Sequence, residues 1–323
     1  MSGRPAATPE PTANGVDWKI ALAAFGLSAF WGGNVVALKL SLGTFPPLWN
    51  AFWRMLIGLP VLYGWVRAQG VSVMPGPGEW PKLACLGAIF VVQITLLNFG
   101  THFTSAAYAV VLMNSHPIFT NIVAHFFAPD DRLTRLRVLG LAVAFGGICV
   151  AFLGEPDAAL ASRPLLGNVI AVATAAAFAV RMVYTQYLVR LTDPARTIFW
   201  QTLFAVPIFG PAAWLFEPAL TGPLDWKPLL ALFYQGFIVA GCLFIVWARL
   251  LRRTPAGALS VYAFPTPIFG VLASAWAFAE AIPAALMVGV GGVVVGIVIV
   301  TLQPKLESGR RQEQPDRPGK PAI

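Results

Sequence analysis

An all-α integral membrane fold, with ten transmembrane helices arranged as two inverted five-helix repeats, is predicted by three features of the sequence. Of the 323 residues, 57% are hydrophobic and only 11% are charged, roughly half the charged share of a soluble globular chain. Apolar segments of spanning length, with few charges, recur ten times along the chain. Short motifs also return, in the same order, about 150 residues further on. One soluble core cannot absorb this much apolar surface, so the excess must face lipid or other helices.

Residues 1–18 are rich in Pro, Ala and Thr and are expected to form a disordered tail. The apolar run that follows has no small-residue cleavage site, so it reads as a retained first helix and not as a signal peptide. In the first repeat, residues 19–153, spans are expected at 19–41, 47–67, 82–101, 104–128 and 138–153. The last of these is short and should borrow a turn from its flanks. A connecting loop at 154–166 leads to the second repeat, residues 167–302, with spans at 167–189, 197–216, 228–248, 255–279 and 283–302. Residues 303–323 are expected to be a second disordered tail.

Ten spans put both termini on one side. Loops on that side carry Arg67, Lys82, Arg132, Arg135, Arg137, Arg190, Arg196, Arg249, Arg252 and Arg253, whereas the other side carries Arg163 and Lys227. The positive-inside rule makes both termini cytoplasmic and the chain a multi-pass protein of the cell (inner) membrane. The net charge of +8 is therefore an orientation signal dispersed over short turns, and no nucleic-acid partner is implied. Cys85, Cys149 and Cys242 lie in apolar runs, which reads as buried, inert thiols with no disulfide framework.

Asn50-Ala-Phe-Trp-Arg-Met-Leu56 reappears 147 positions later as Thr197-Ile-Phe-Trp-Gln-Thr-Leu203. Thr104-Ser-Ala-Ala with Pro117-Ile-Phe119 returns at an offset of 150 as Thr254-Pro-Ala-Gly with Pro267-Ile-Phe269. Gly140 and Gly147 match Gly289 and Gly296 at an offset of 149. Five spans per copy is an odd number, so the second copy is inverted, and a substrate site is expected near the midplane between the repeats. Gly292 and Gly296 form a GxxxG pair that serves either packing within one protomer or a dimer.

The sequence carries no Walker loop, HExxH, metal-spaced cysteine pair, GxSxG or dinucleotide fingerprint, so no catalytic residue, metal or cofactor is expected. The informative residues are intramembrane cations, which are expensive in hydrocarbon. Lys39 lies one turn from the end of its helix and can snorkel. Arg54 lies two turns in, roughly 10 Å deep, where it can snorkel or bond carbonyls. Arg181 is near mid-depth and is the hardest to explain structurally. All fourteen acids fall in tails, loops or helix ends, Glu280 among them, with Asp130 and Asp131 just past the fourth span. With no buried carboxylate relay expected, the positive interior suits a substrate with an anionic group. Neutral polar residues in the spans include Asn34, Gln93, Asn114, Tyr184 and Tyr262, while Asn98, Gln186 and Gln235 read equally as glue between helices. His102 and His116 read as hydrogen-bonded histidines. Pro117 and Pro267 are expected to kink their spans near the middle and so to act as paired gates.

Trp31-Gly-Gly-Asn34 running to Lys39, and Phe52-Trp-Arg54, resemble the first- and second-helix motifs of EamA-type permeases in the drug/metabolite transporter superfamily. Thr104-Ser-Ala-Ala with Pro117-Ile-Phe119 is similar to the fourth-helix pattern. Trp247 through Leu250-Leu-Arg-Arg-Thr-Pro-Ala256, then Pro267-Ile-Phe269 and Glu280, resembles the matching stretch of the second repeat. The resemblance covers about residues 20–302 and implies a central cavity lined by both repeats and export of amino acids or related metabolites. Asp130 and Asp131 depart from it, standing where the first repeat commonly has Glu, and Gln201 replaces the counterpart of Arg54. The candidate substrate-binding residues are Trp31, Asn34, Gln93, Asn114, Arg181, Tyr184 and Tyr262; Lys39, Arg54, Pro117 and Pro267 are the gating or structural set. The expected function is a secondary transporter, monomeric or weakly dimeric in the lipid bilayer, that exports an amino acid or similar small carboxylate by alternating access. An intramembrane enzyme acting on lipid and a non-transporting assembly factor are the alternatives. In a cysteine-free background, single cysteines at Ser162 and Thr221 are expected to react with an impermeant thiol reagent from outside intact cells, and ones at Thr134 and Thr192 are not; the reverse labelling would overturn the orientation.

Overall fold

The computed structural model describes residues 18–127, 135–156, 158–253, 259 and 265–313. Residues 1–17 and 314–323, Asp130, Asp131 and Tyr262 lie outside them. All regular structure among the described residues is helical. The first repeat comprises α1 (Trp18–Ser41), α2 (Pro47–Ala68) and α3 (Trp80–Phe103), then α4 (Ala106–Met113) with α5 (His116–Phe127), and α6 (Arg135–Phe152). In the second, α7 (Pro164–Leu191) and α8 (Pro194–Phe216) precede one crossing built from α9 (Trp226–Phe233), the π-helical segment π1 (Tyr234–Leu243) and α10 (Phe244–Arg253). α11 (Thr266–Phe278) and α12 (Ala284–Glu313) complete it.

The helices start where their sequences offer a partner for orphan N–H groups or remove the need for one. Pro occupies the first turn of α2, α3, α7, α8 and α11, where its missing donor costs nothing. Asp193 caps α8 by accepting from the Ala195 and Arg196 amides, and Asp225 accepts from Trp226 at the start of α9. Within the apolar helices the hydroxyls bond back to the preceding turn, as Thr95 does to the Val91 carbonyl and Thr202 to that of Ile198. α6 has 18 residues and starts a turn ahead of its apolar run, as its shortness required. α12 continues to Glu313, so helix replaces the disorder expected from residue 303; the stretch is rich in Lys, Glu, Arg and Gln, which favour helix.

Contacts between loops sort by face. Call the face where α1 begins the near face and the other the far face. On the far face the α1–α2 and α8–α9 loops join through the Thr221 amide on the Thr44 carbonyl at 2.9 Å, and the Arg163 amide reaches the Phe103 carbonyl at 3.1 Å. Glu217, at the end of α8, accepts from the Leu48 and Trp49 amides at the start of α2. On the near face Arg196 meets Glu79 at 3.0 Å, and the Trp200 indole donates to the Val73 carbonyl at 2.7 Å. Each link joins ends that ten alternating crossings bring to the same side.

Packing between crossings is paired by exchange of the repeats. α2 packs on α8, and α6 on α12, each with its own counterpart. α3 packs on α8 as α2 packs on π1, and α3 on α7 as α1 packs on α9 and π1. The chain is thus two five-crossing units interleaved about a pseudo-two-fold axis, the second inverted.

The α6–α12 seam is built on glycine. A Cβ on Gly147 would sit 2.7–2.9 Å from the backbone of Gly289, Gly292 and Val293. The GxxxG pair therefore serves packing within the protomer, with Gly292 against Gly147 and Gly296 against the Gly140–Ala144 turn. Cys85 and Cys149 are exposed on outer helix faces, contrary to the expected burial, because small thiols are tolerated against lipid as well as in a core. Gly147→Leu is expected to cost about 1–3 kcal/mol or more through overpacking, read as a lower melting temperature of the purified protein in detergent. Gly146→Leu, with nothing within 4 Å of its Cβ position, is expected to melt like the parent.

Candidate functional site

The fourth crossing is broken. α4 ends at Met113 and α5 begins at His116, with Pro117 as its second residue. Pro117 cannot donate to the preceding turn, and in place of the expected mid-helix kink the helix is interrupted by a two-residue turn, with Pro117 at a helix start. Side chains add donors at the end of α4: Asn114 Nδ2 donates to the Val110 carbonyl at 2.6 Å and Ser115 Oγ to that of Leu112 at 2.6 Å, beside the backbone amides of the same two residues. Pro267 likewise lies in the first turn of α11, so both prolines open half-helices. At 12 and 13 residues, these reach about 18–20 Å, enough to run from mid-membrane to one face.

A cavity of about 60 Å³ lies where the half-helices begin, with His116 and Thr266, their first residues, in its wall. α1 contributes Trp31 and Asn34, α2 Arg54, α3 Gln93, Ile94 and Leu97, and the α4–α5 break Met113 and Asn114. From the second repeat come Phe178 and Arg181 of α7, Val239 of π1, Phe244 and Trp247 of α10, and Thr266. Trp31 meets Trp247 edge-on at 4.6 Å, closing one wall with an aromatic pair drawn from both repeats. Gly236 and Gly241 let the wide π1 segment lie against Ile57 and Val61 of α2, which sets Val239 and Phe244 at the cavity.

Two guanidinium groups dominate the electrostatics. Arg54 is 2% exposed and Arg181 7%. Arg181 lies among three phenyl rings, with its Cζ 4.9 Å from the Phe178 centroid, 5.2 Å from Phe90 and 5.6 Å from Phe244. Cation–π attraction returns part of its solvation, and more in a desolvated place than at a surface. Nε and Nη1 of Arg54 and Nε of Arg181 have no hydrogen-bond partner among the described residues. Both guanidinium groups line the same cavity, and His116 packs at 4.6 Å on the Phe178 ring that also faces Arg181. No acid lines the cavity among the described residues, and none of them form a metal-binding group.

The remaining candidates separate by role. Trp31, Asn34, Gln93, Asn114 and Arg181 come together at the cavity, joined by Arg54. Tyr184 stands apart, donating to the Lys82 carbonyl at 3.3 Å, and Tyr262 is outside the described residues. Lys39 does not snorkel: its Nζ donates to the carbonyls of Thr101, His102 and Thr104 at 3.0, 3.2 and 2.6 Å, binding the C-terminal end of α3. Glu280 is not a solvent-exposed helix end. It is 4% exposed and accepts from Ser274 Oγ and, at 3.4 Å, from the Ala107 amide in the first turn of α4, a favourable place for an anion. Gln235 and Asn50 both bond Ser41 and tie π1 and α2 to α1.

Sequence reasoning overlooked Phe178, Phe244, Trp247 and Thr266 and gave His116 no special place. One signal was available. The 147-residue offset carries Trp31 onto Phe178 and Asn34 onto Arg181, and the 150-residue offset carries His116 onto Thr266. Each of these three pairs lines the cavity.

A model of the EamA-like transporter family matches residues 18–153 and again residues 165–302. A probable amino-acid metabolite efflux pump of Escherichia coli is 24% identical over 279 residues, covering 83% of this chain and 90% of that protein. An uncharacterized transporter of Archaeoglobus fulgidus is 22% identical over 255 residues, covering 77% and 86%. A solved crystal structure superposes with a TM-score of 0.69 at 22% identity over 89% of this chain and 99% of the other, a likeness of fold.

The geometry of Lys39 gives a test. Lys39→Met is expected to strand three carbonyls at the end of α3 and cost about 1–3 kcal/mol, lowering the melting temperature in detergent. Lys39→Arg keeps donors at that end and should recover most of the loss.

Proposed function

The chain belongs to the EamA-like transporter family, and from that premise we propose that it is a secondary transporter that exports an amino acid or related carboxylate-bearing metabolite by alternating access. Transport of a small molecule across a membrane is the family's business; the substrate, the mechanism and the direction are our reading. One observation carries it. A mid-membrane cavity formed by both repeats holds two buried guanidinium groups and no acid among its described lining residues, and a buried charge without a counter-charge is strongly unfavourable. A carboxylate entering the cavity supplies what the protein lacks. The first turns of α5 and α11 also open there, and helix N-termini favour anions. The similarity to a probable amino-acid metabolite efflux pump supports the same substrate class.

In this reading Arg181, Arg54, Trp31, Asn34, Gln93 and Asn114 bind the substrate, while α5 and α11, begun by His116-Pro117 and Thr266-Pro267, are the parts that rearrange. The protein sits in the inner membrane with both termini in the cytoplasm, the side on which the positive loops concentrate. Flux of a labelled amino-acid panel into proteoliposomes tests the proposal: at least one carboxylate-bearing solute is expected to show saturable uptake and counterflow. Arg181→Ala should reduce that flux by at least tenfold and Arg181→Lys by less, because Lys keeps the charge and loses the planar fork. Parental flux in a well-folded Arg181→Ala protein would overturn the assignment.

A further inference from the structure

Two cations, and not one, wait at the cavity, and they come from different repeats. Arg54 belongs to α2 of the first repeat, Arg181 to α7 of the second, and both are more than nine-tenths buried. Repeat symmetry did not impose this doubling. At the 147-residue offset Arg54 falls on Gln201 and Arg181 on Asn34, so neither charge is a copy of the other. Two like charges thus line one cavity, with aromatic rings and neutral amides around them and no acid among its described lining residues. A single carboxylate would leave one guanidinium unpaired.

We propose that the substrate carries two separate anionic groups, one for Arg181 beside the start of α5 and one for Arg54, so that it bridges the two repeats. The inference rests on the carboxylate-transport reading above and narrows it from any carboxylate to dicarboxylates, acidic amino acids included. Planar guanidinium forks suit carboxylates in particular. The cavity offers an amino group only neutral partners, the amides of Asn34, Gln93 and Asn114 and the faces of Trp31 and Trp247, so the amine is tolerated while the second carboxylate is selected. With each end of the ligand tied to a different repeat, substrate binding also offsets the mutual repulsion of the arginines.

The purified full chain in detergent is titrated with four probes of similar size: glutarate and L-glutamate, which carry two carboxylates, and butyrate and L-glutamine, which carry one. Glutarate and glutamate are expected to bind about tenfold or more tightly than their partners, since the second charge-assisted pair is lost in each. Arg54→Gln and Arg181→Gln should each erase that preference, weakening the dicarboxylates about tenfold while leaving butyrate and glutamine within about threefold. Arg54→Lys and Arg181→Lys should keep much of it, which covers the case of a glutamine variant that fails to fold. Equal binding of glutamate and glutamine, with saturable carboxylate flux intact, overturns the two-group proposal and leaves the transport reading standing. Failure of any carboxylate to bind or move overturns both. Inorganic phosphate is the last arm: displacement of glutarate by phosphate at tenfold lower concentration would mean that both arginines close on one doubly charged group, which also overturns it.

Discussion

Within the hydrocarbon slab a polar group has no water to turn to, so every donor, acceptor and charge in the spans must find its partner inside the protein. This constraint organises the structure. It explains why the Thr hydroxyls bond back to the preceding turn and why Asn114 and Ser115 stand at the break between α4 and α5. It explains why Lys39 ends on three carbonyls and why Glu280 and Glu217 lie against helix starts, of α4 and α2 respectively. In each case a charge or a side-chain dipole is spent on a helix end, where unpaired backbone groups concentrate. At the cavity the accounting is left open where the charge is greatest: Nε and Nη1 of Arg54 and Nε of Arg181 are among the buried groups without a partner.

The inverted repeat supplies the frame and its divergence supplies the site. Counterparts that hold the scaffold stayed alike: Gly140 and Gly147 with Gly289 and Gly296, Pro117 with Pro267. Counterparts that face the cavity diverged, Trp31 against Phe178, Asn34 against Arg181 and His116 against Thr266. Backbone contact across the glycine seam admits no side chain, and a proline at a helix start is fixed by backbone chemistry. A cavity wall answers to its ligand, and a ligand without two-fold symmetry gives the two halves different tasks.

Most of the fold was legible because its signals are one-dimensional. Span length, the borrowed turn of α6 and the order of the repeats follow from runs of apolar residues and from fixed offsets. The cavity was legible where residue type alone is anomalous in lipid, as with Arg181, Gln93 and Asn34; Arg54, expected among the gating or structural charges, lines it too. It was not legible for Phe178, Phe244 and Trp247, since an aromatic residue in a span reads the same facing lipid, another helix or a ligand. Tyr184 shows the converse, a polar residue of α7 whose hydroxyl is used by the Lys82 carbonyl. The burial of Glu280 was invisible because it depends on α4, more than 160 residues earlier, folding over the end of α11. Pro117 signalled a disturbance of its helix, but only Asn114 and Ser115 together turn a kink into a break.

That break bears on which parts are free to move. Bending a continuous helix in the membrane strands backbone groups at several kcal/mol each, a barrier that would make transport slow. Between α4 and α5 the helix is already interrupted: Pro117 has no amide donor, and the side chains of Asn114 and Ser115 bond carbonyls of their own preceding turn, all on the α4 side of the junction. α5 can therefore change its angle to α4 without giving up those hydrogen bonds. The α6–α12 seam offers no comparable freedom, because backbones packed through glycine tolerate little sliding before atoms collide. Lys39 and Glu280 likewise clamp the far-face ends of α3 and α4. The half-helices at the cavity are thus the cheapest elements to move and the ones nearest the ligand, which is the arrangement a transporter needs if binding is to be coupled to opening.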